Sequence, residues 1–381
     1  MISRLRYPAD ALKDFASRLL AAAGMDAALA ATVAMTLVEG DLLGHDTHGL
    51  ALLAPYIDQI SNGALSVSGA PETLDDHGAV VLWDGKRLPG PWLVHEGLRQ
   101  MKPRARQFGS ATLVIRNSHH IACLAAYLRE PSEEGFLTVL SSSDPTVQIV
   151  APHGGTRAVF TPNPIAAGIP AHPTPWLIDI SASMTTNGMV NRLHRAGQTF
   201  DEPFLLDAEG HPSVDPGVMK ADPSGTLLPL GGLRLGHKGF GLALLIEALT
   251  SGLAGHGRAA AEVQAQASAS TPGQAPAQAQ VQAQAQAPGQ GWGASVNLML
   301  FDTRRFGGEQ AFLQETTFLA DACRRNPPRP GVDAVRMPGD RGLQNRIEQL
   351  ENGVALHPTI APALAPCATS YGLVFPEPIK T

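Results

Sequence analysis

Apolar residues recur at helical spacing through the first ~60 positions, then give way to short runs rich in valine, isoleucine and leucine. A first helix begins at Pro8, runs through Leu19 and Leu20, and stops at Gly24. Asp26 caps a second helix, with Leu29, Val33, Leu37 and Val38 on one side as far as Gly40. Gly44-His45-Asp46-Thr47-His48-Gly49 breaks the pattern before a third helix, Leu50 to Ile60, closes at Asn62-Gly63. From Leu74 the texture changes. Ala79 to Trp83 reads as a strand, Val94 to Phe108 as a helix, and β-branched Thr112 to Ile115 as a strand. Asn117 and Ser118 read as turn or cap residues, and Ile121 to Leu128 has helical composition.

The strand Phe136 to Leu140 leads into a polar loop, Ser141 to Pro145, and Ala158 to Phe160, Ala166 to Ile169 and Trp176 to Ile180 add short strands. Alternating strands and helices indicate an α/β core. The brief turns predict a mixed or antiparallel sheet, because parallel neighbours need a long crossover. Pro203 to Pro229 wraps the surface, and a helix from Leu242 to Leu253 leaves the glycine-rich Gly236 to Gly241. Arg258 to Gly291 is an Ala/Gln run with no apolar face, read as an insertion. A strand at Ala294 to Phe301, a helix at Glu309 to Arg325, the loop Pro338-Gly339-Asp340 and a helix from Leu343 complete the chain. The division expected is a helical N-terminal lobe at 1–73, an α/β domain at 74–308 and a C-terminal helical segment at 309–381 that packs with the first lobe.

At 381 residues, 44% hydrophobic and 16% charged, the chain can bury a sizeable core. Its net charge of -6 argues against nucleic acid as partner. The most apolar long stretch, Gly239 to Gly255, contains Glu247 and falls short of the ~20 residues of a membrane span. No membrane segment is expected. Cys123, Cys323 and Cys367 are isolated and lack CxxC spacing, which fits a reducing, cytoplasmic setting.

Four constellations carry chemistry. His45, Asp46, Thr47 and His48 place two imidazoles, a carboxylate and a hydroxyl within four positions. With His120 they are the raw material of a metallohydrolase, a reading weakened by the lack of outlying ligands and of HExxH. No metal is therefore assigned. His119-His120 stands at the end of a strand, where an imidazole can exchange a proton with a carbonyl oxygen or an alcohol. Asp179 can orient such a histidine. Ser143-Asp144-Pro145, Asn163-Pro164 and Asp179-Ile180-Ser181-Ala182-Ser183 are polar strand ends of the kind that offer hydroxyls and N–H groups to ribose and pyrophosphate. Gly236-His237-Lys238-Gly239-Phe240-Gly241 before a helix suits an anion at a helix N-terminus or a close helix contact. Its glycine spacing matches neither Walker A nor GxGxxG, so a Rossmann site is unsupported.

Taken in order, these stretches resemble the malate/L-lactate dehydrogenase family of NAD(P)-dependent 2-oxoacid reductases, which is distinct from the Rossmann-type enzymes and includes ureidoglycolate dehydrogenase and Δ1-piperideine-2-carboxylate reductase. Asp46-Thr47-His48-Gly49-Leu50 corresponds to the family's D-S-H-G-V, with Tyr56 matching the tyrosine downstream. Asn117-Ser118-His119-His120 corresponds to N-S-x-H, Thr161 to Ala166 to G-T-N-P-I-A, Asp179 to Ser183 to D-M-A-T-S, His237 to Leu244 to H-K-G-Y-G-L-A-L, and Pro338-Gly339-Asp340 to P-G-E. The resemblance implies a non-Rossmann mixed-sheet dinucleotide domain, a helical part that completes the substrate site, and a homodimer. It implies a small 2-oxo or 2-hydroxy acid as substrate and NAD or NADP as cofactor. His120 inherits the acid/base role, and His48, with Thr47 and Tyr56, the substrate. Asp179 orients the nicotinamide or His120. Cofactor contacts fall to His120, Ser143, Asn163, Pro164, Asp179, Ile180, Ser181, Lys238 and Gly239. Leu52 stands where many members carry an arginine that grips the substrate carboxylate. The His-His-x-Ala form at His119 to Ala122 is similar to the imine-reducing branch, which makes a cyclic 2-imino acid the alternative substrate.

Overall fold

Seven strands, most of them antiparallel, form the central sheet of the computed structural model, which describes residues 5–259 and 293–379. Near the N-terminus β1 (Arg6–Tyr7) precedes helices α1 (Ala9–Ala22), α2 (Ala27–Leu42) and α3 (Leu53–Ser61). The main sheet takes β2 (Glu72–Asp76), β3 (Val80–Asp84), β4 (Ser110–Ser118), β5 (Phe136–Ser143), β6 (Pro164–Ile169), β7 (Trp176–Ser181) and β11 (Ala294–Asp302), in the order β2-β3-β4-β11-β5-β6-β7. Only β3 and β4 run parallel. Their connection is the long crossover that such a pair needs, helix α4 (Gly90–Phe108). The mixed sheet is the one expected from the turn spacing.

Several local readings are corrected. Asn117 and Ser118 continue β4 rather than turn out of it, because Ser118 pairs with Ala294 of β11. Asn117 does so in the left-handed region, at φ 53°, with its amide nitrogen donating to Asp84 Oδ1 at 3.2 Å. Ser141 to Ser143 are buried strand residues of β5, paired with Asn297, Val296 and Ser295, and not a loop. Ala158 to Phe160 contributes only an isolated bridge, Val150 to Phe160. Ile121 to Leu128 holds a 3-10 turn at Leu124–Tyr127, and α5 (Arg129–Glu133) follows it. The exposed β2 went unread because its Glu-Thr-Leu-Asp-Asp sequence carries no apolar stripe.

Beyond β7 come α6 (Asn187–Arg195) and a small sheet of β8 (Leu205–Leu206), β9 (Pro212–Ser213) and β10 (Thr226–Leu227). Helix α7 (Gly232–Glu247) starts well before the glycine motif, so His237 to Gly241 lies inside the helix rather than at its N-terminus. The glycines serve close packing: a Cβ at Gly239 would overlap the Leu230 backbone. Of the Ala/Gln run, only Arg258 and Ala259 fall within the described residues. The chain ends with α8 (Glu309–Arg324), α9 (Asp340–Asn352), β12 (Val354–Ala355) and α10 (Ile360–Ser370). β12 pairs with β1, and Gln349 of α9 donates to the Asp41 and Leu42 carbonyls at the end of α2, both at 2.9 Å.

One large core joins α1 to α4 with one side of the sheet. A smaller one gathers Val190, Leu205, Leu227, Ala243 and Ile246 from α6, α7 and the small sheet with the bridged Val150 and Phe160 between β5 and β6. The candidate site residues lie on segments drawn from both.

Candidate active site

The first histidine loop is pinned at its exit by α2. Asp41, buried near the end of that helix, accepts the Leu50 N–H on Oδ2 at 2.7 Å. The loop between is held from the other side by α6: Arg192 Nη1 meets Asp46 Oδ1 at 2.7 Å and Nη2 donates to the Asp46 carbonyl at 3.2 Å. Thr47 Oγ1 lies 2.9 Å from His48 Nδ1, which orients that ring.

The second pair sits just past the end of β4, and its two rings part ways. His119 is buried, with Nε2 at 2.7 Å from Gln59 Oε1 and its ring edge-on to Tyr56. His120 is open to solvent on one face. A Cβ at Gly90 would overlap the carbonyls of both histidines, so the glycine at the start of α4 lets that helix close on this turn. The rings of His48 and His120 face each other at 5.8 Å and 26°. Tyr56 Oη lies 3.1 Å from His120 Nδ1, and the Ala122 N–H donates to the same nitrogen at 3.2 Å. A nitrogen that accepts from a backbone N–H carries no proton itself. The neutral ring therefore holds its proton on Nε2.

The surroundings keep all three imidazoles uncharged at neutral pH. Burial, with lesser contributions from His120, His45 and Arg192, lowers the His48 pKa from 6.5 to about 3. Burial aided by His120 and Arg87 lowers His119 to about 3, and the packing of its inner edge lowers His120 as well, although its outer face meets solvent. The Tyr56 hydroxyl is pushed up by burial and stays protonated.

Asp179 does not reach His120. Its Oδ2 accepts the Ala125 N–H at 2.8 Å and lies 3.8 Å from the Cys123 thiol, so it holds the turn that follows His120. Burial raises its pKa, against the opposing charge of His45.

The residues expected at the dinucleotide gather at one end of the sheet. Pro164 pairs with Ser181 and Ile165 with Ile180, while the Asn163 carbonyl accepts the Ala182 N–H at 3.2 Å. Ser181 Oγ donates to the Ser183 carbonyl at 3.0 Å, and Ile180 is 44% exposed. Gly239 N–H donates to the Leu230 carbonyl and Leu230 N–H to that of Ala182, so α7 brings Lys238 against the same segment. Ser143 and Asn163 both turn inward to Glu247: Ser143 Oγ donates to Oε1 at 2.7 Å and Asn163 Nδ2 at 3.1 Å. Arg258 Nη2 meets the same oxygen at 3.1 Å and also donates to the Asp144 carbonyl at 3.2 Å. An exposed apolar side chain, a hydroxyl and a lysine on neighbouring backbone form a donor set that fits a dinucleotide. Ile180 and Ser181 would meet its ring and ribose, and Lys238 its phosphate.

Arg192, Glu247 and Gln59 escaped sequence reasoning. Glu247 carried a signal, a lone acid in the most apolar stretch of the chain; Arg192 is one of several basic residues in α6, and nothing local sets it apart. The metallohydrolase set does not assemble, because Asp46 is taken up by Arg192. Among the described residues no helix is long and apolar enough to cross a membrane.

Known proteins carry the same plan. The profile of the malate/L-lactate dehydrogenase family matches residues 7–365. A malate dehydrogenase of Pyrococcus abyssi is 30% identical over 255 residues, 66% of this chain and 69% of its own. A Δ1-pyrroline-2-carboxylate/Δ1-piperideine-2-carboxylate reductase of Pseudomonas putida is 30% identical over 254 residues, 66% of this chain and 72% of its own. The crystal structure of malate dehydrogenase from Entamoeba histolytica shares the fold, with a TM-score of 0.86 at 22% identity over 98% of this chain and 99% of that one. With the family profile spanning both histidine motifs and the sheet end beside them, the chain belongs to the malate/L-lactate dehydrogenase family of oxidoreductases.

Proposed function

We propose that the chain is a cytoplasmic, NAD- or NADP-dependent enzyme that interconverts a small 2-oxo acid and its 2-hydroxy acid. The observation that carries this reading is the facing pair of uncharged imidazoles, His48 and His120, with Tyr56 at the inner nitrogen of His120. The nicotinamide, when bound, supplies or takes up the hydride at C2. His120 Nε2–H gives its proton to the C2 oxygen as the hydride arrives, solvent at the ring's open face replaces that proton, and the Tyr56 hydroxyl holds the ring in place at Nδ1. His48, oriented by Thr47, donates to the same oxygen or to the carboxylate.

Uncharged histidines cannot balance the substrate carboxylate, and Leu52 packs against the core. Arg192 takes that part. Asp46 fixes one edge of its guanidinium, and its charge acts on His48. Free cysteines suit a reducing compartment. The enzyme works as a homodimer, a reading supported by exposed Leu233 and Leu244, three turns apart on one side of α7, which a second copy would cover.

The likeness to the Pseudomonas putida reductase favours a second substrate class, cyclic 2-imino acids. Their nitrogen arrives already protonated and asks less of His120. The test is fluorescence titration of the full chain with NADH and NADPH, followed by a panel of 2-oxo acids and cyclic imines. Saturable nucleotide binding with turnover of a 2-oxo acid supports the proposal, and turnover of imines alone moves it to the second class. Binding of neither nucleotide with no turnover overturns both.

A further inference from the structure

A second cluster of chemically capable side chains lies beside the histidine pair and takes no part in the reaction above. His45, Cys123 and Asp179 each direct one ligand atom to a common point, all within 4.8 Å of one another, the one such group among the described residues. Cys123 Sγ stands 3.8 Å from Asp179 Oδ2. Two ligands of one tetrahedral zinc, at about 2.3 Å for sulfur and about 2.1 Å for oxygen, stand about 3.6 Å apart. The sulfur and the oxygen are thus already at coordination spacing, and the His45 imidazole has to close by at most about 1.4 Å.

The donor set is selective. A thiolate, an imidazole and a single carboxylate suit zinc, whereas magnesium and calcium call for oxygen ligands. The cluster opens on a cavity of about 490 Å³ lined by His45, Ala125, Asp179, Gly339 and Asn345. That volume admits a water as fourth ligand and gives the ion a way in.

We propose that His45, Cys123 and Asp179 bind a zinc ion, with water in the fourth position. Binding displaces the thiol proton to solvent and leaves the site neutral, one dication against a thiolate and a carboxylate. The ion would join three segments that carry the active site. His45 is three residues before His48, Cys123 is three after His120, and Asp179 precedes Ile180 and Ser181 on β7. Zinc would therefore fix the distance between the two catalytic loops. This goes beyond the dehydrogenase reading, and its test needs no turnover.

The metal-stripped full chain is titrated with zinc chloride and, separately, with cobalt chloride. Expected are one zinc retained per chain and, with cobalt, a sulfur-to-metal charge-transfer band. Cys123→Ser should abolish the band and weaken zinc binding by at least ~10-fold, and His45→Ala, on the outer loop, should weaken it likewise. His120→Ala should leave both unchanged. Should Cys123→Ser fail to fold, the band in the wild type and the His45→Ala arm decide. No zinc retained, a cobalt complex without the sulfur band, or binding unaffected by His45→Ala would each overturn the proposal.

Discussion

The two walls of the cleft are held by different forces. On the histidine wall, Tyr56, Leu53, Ile121 and Ala122 belong to the large apolar core; His120 Nδ1 pairs with Tyr56 and His119 Nε2 with Gln59, while His119 Nδ1 is buried without a partner. On the wall proposed for the dinucleotide, Ser143, Asn163 and Arg258 converge on the single carboxylate of Glu247, above a much smaller apolar cluster. The first wall is fixed by packing and the second by a polar hub. Damage to one should cost chemistry, and damage to the other should cost binding.

The largest effect is expected on the histidine wall. His120→Ala should lower kcat by ~10²- to 10⁴-fold in a folded protein, with nucleotide affinity largely kept. Near wild-type hydride transfer in steady-state assays would remove His120 from the reaction. Arg192 spans the two sides, so Arg192→Gln should raise the KM of the 2-oxo acid by ~10- to 100-fold, the worth of one charged hydrogen bond, while NADH titrates normally. An unchanged KM would leave Arg192 a structural clasp for Asp46 alone. Glu247→Ala strands three donors and should weaken nucleotide binding by ~10-fold, with kcat restored at saturating cofactor and Glu247→Gln recovering part of the loss. A fall in kcat that saturation does not repair would mean that the hub also supports the histidines.

The smallest effect concerns pH. The folded-state pKa of buried His119, about 3, lies below the 6.5 of a free imidazole. Below pH 6.5 the unfolded chain takes up a proton that the folded chain refuses. The stability this histidine contributes at neutral pH is thus lost as the pH falls from about 6.5 towards 3, at up to ~1.4 kcal/mol per unit. Denaturant melts of His119→Gln, which keeps a donor for Gln59, should fall less steeply with acid than the wild type. Parallel slopes would refute this assignment.

How much could be read from the chain follows the same division. Helices α1 to α3 carry their own periodicity and start signals, and the residues facing one another across His48 and His120 belong to two short motifs. Each was legible in a window of a dozen residues. Arg192 meets Asp46 from 146 positions away, and Ser143 meets Glu247 across 104. No local pattern encodes such partners. Asn117 and Ser118 misled for a related reason: both favour turns by propensity, and pairing with a strand from the far end of the chain overrides it. The glycines of α7 looked like a loop because glycine weakens an isolated helix, yet here they allow the helix to dock against Leu230.

The position of β11 has a consequence for how the protein is made. It fills the gap between β4 and β5, although it follows β5 by more than a hundred residues in sequence. During synthesis the facing edges of β4 and β5 must stay unpaired until Asp302 has emerged, a wait on the order of ten seconds at ribosomal rates. The nascent chain therefore carries two bare strand edges rich in valine and leucine for more than a third of translation, and the centre of its sheet closes last.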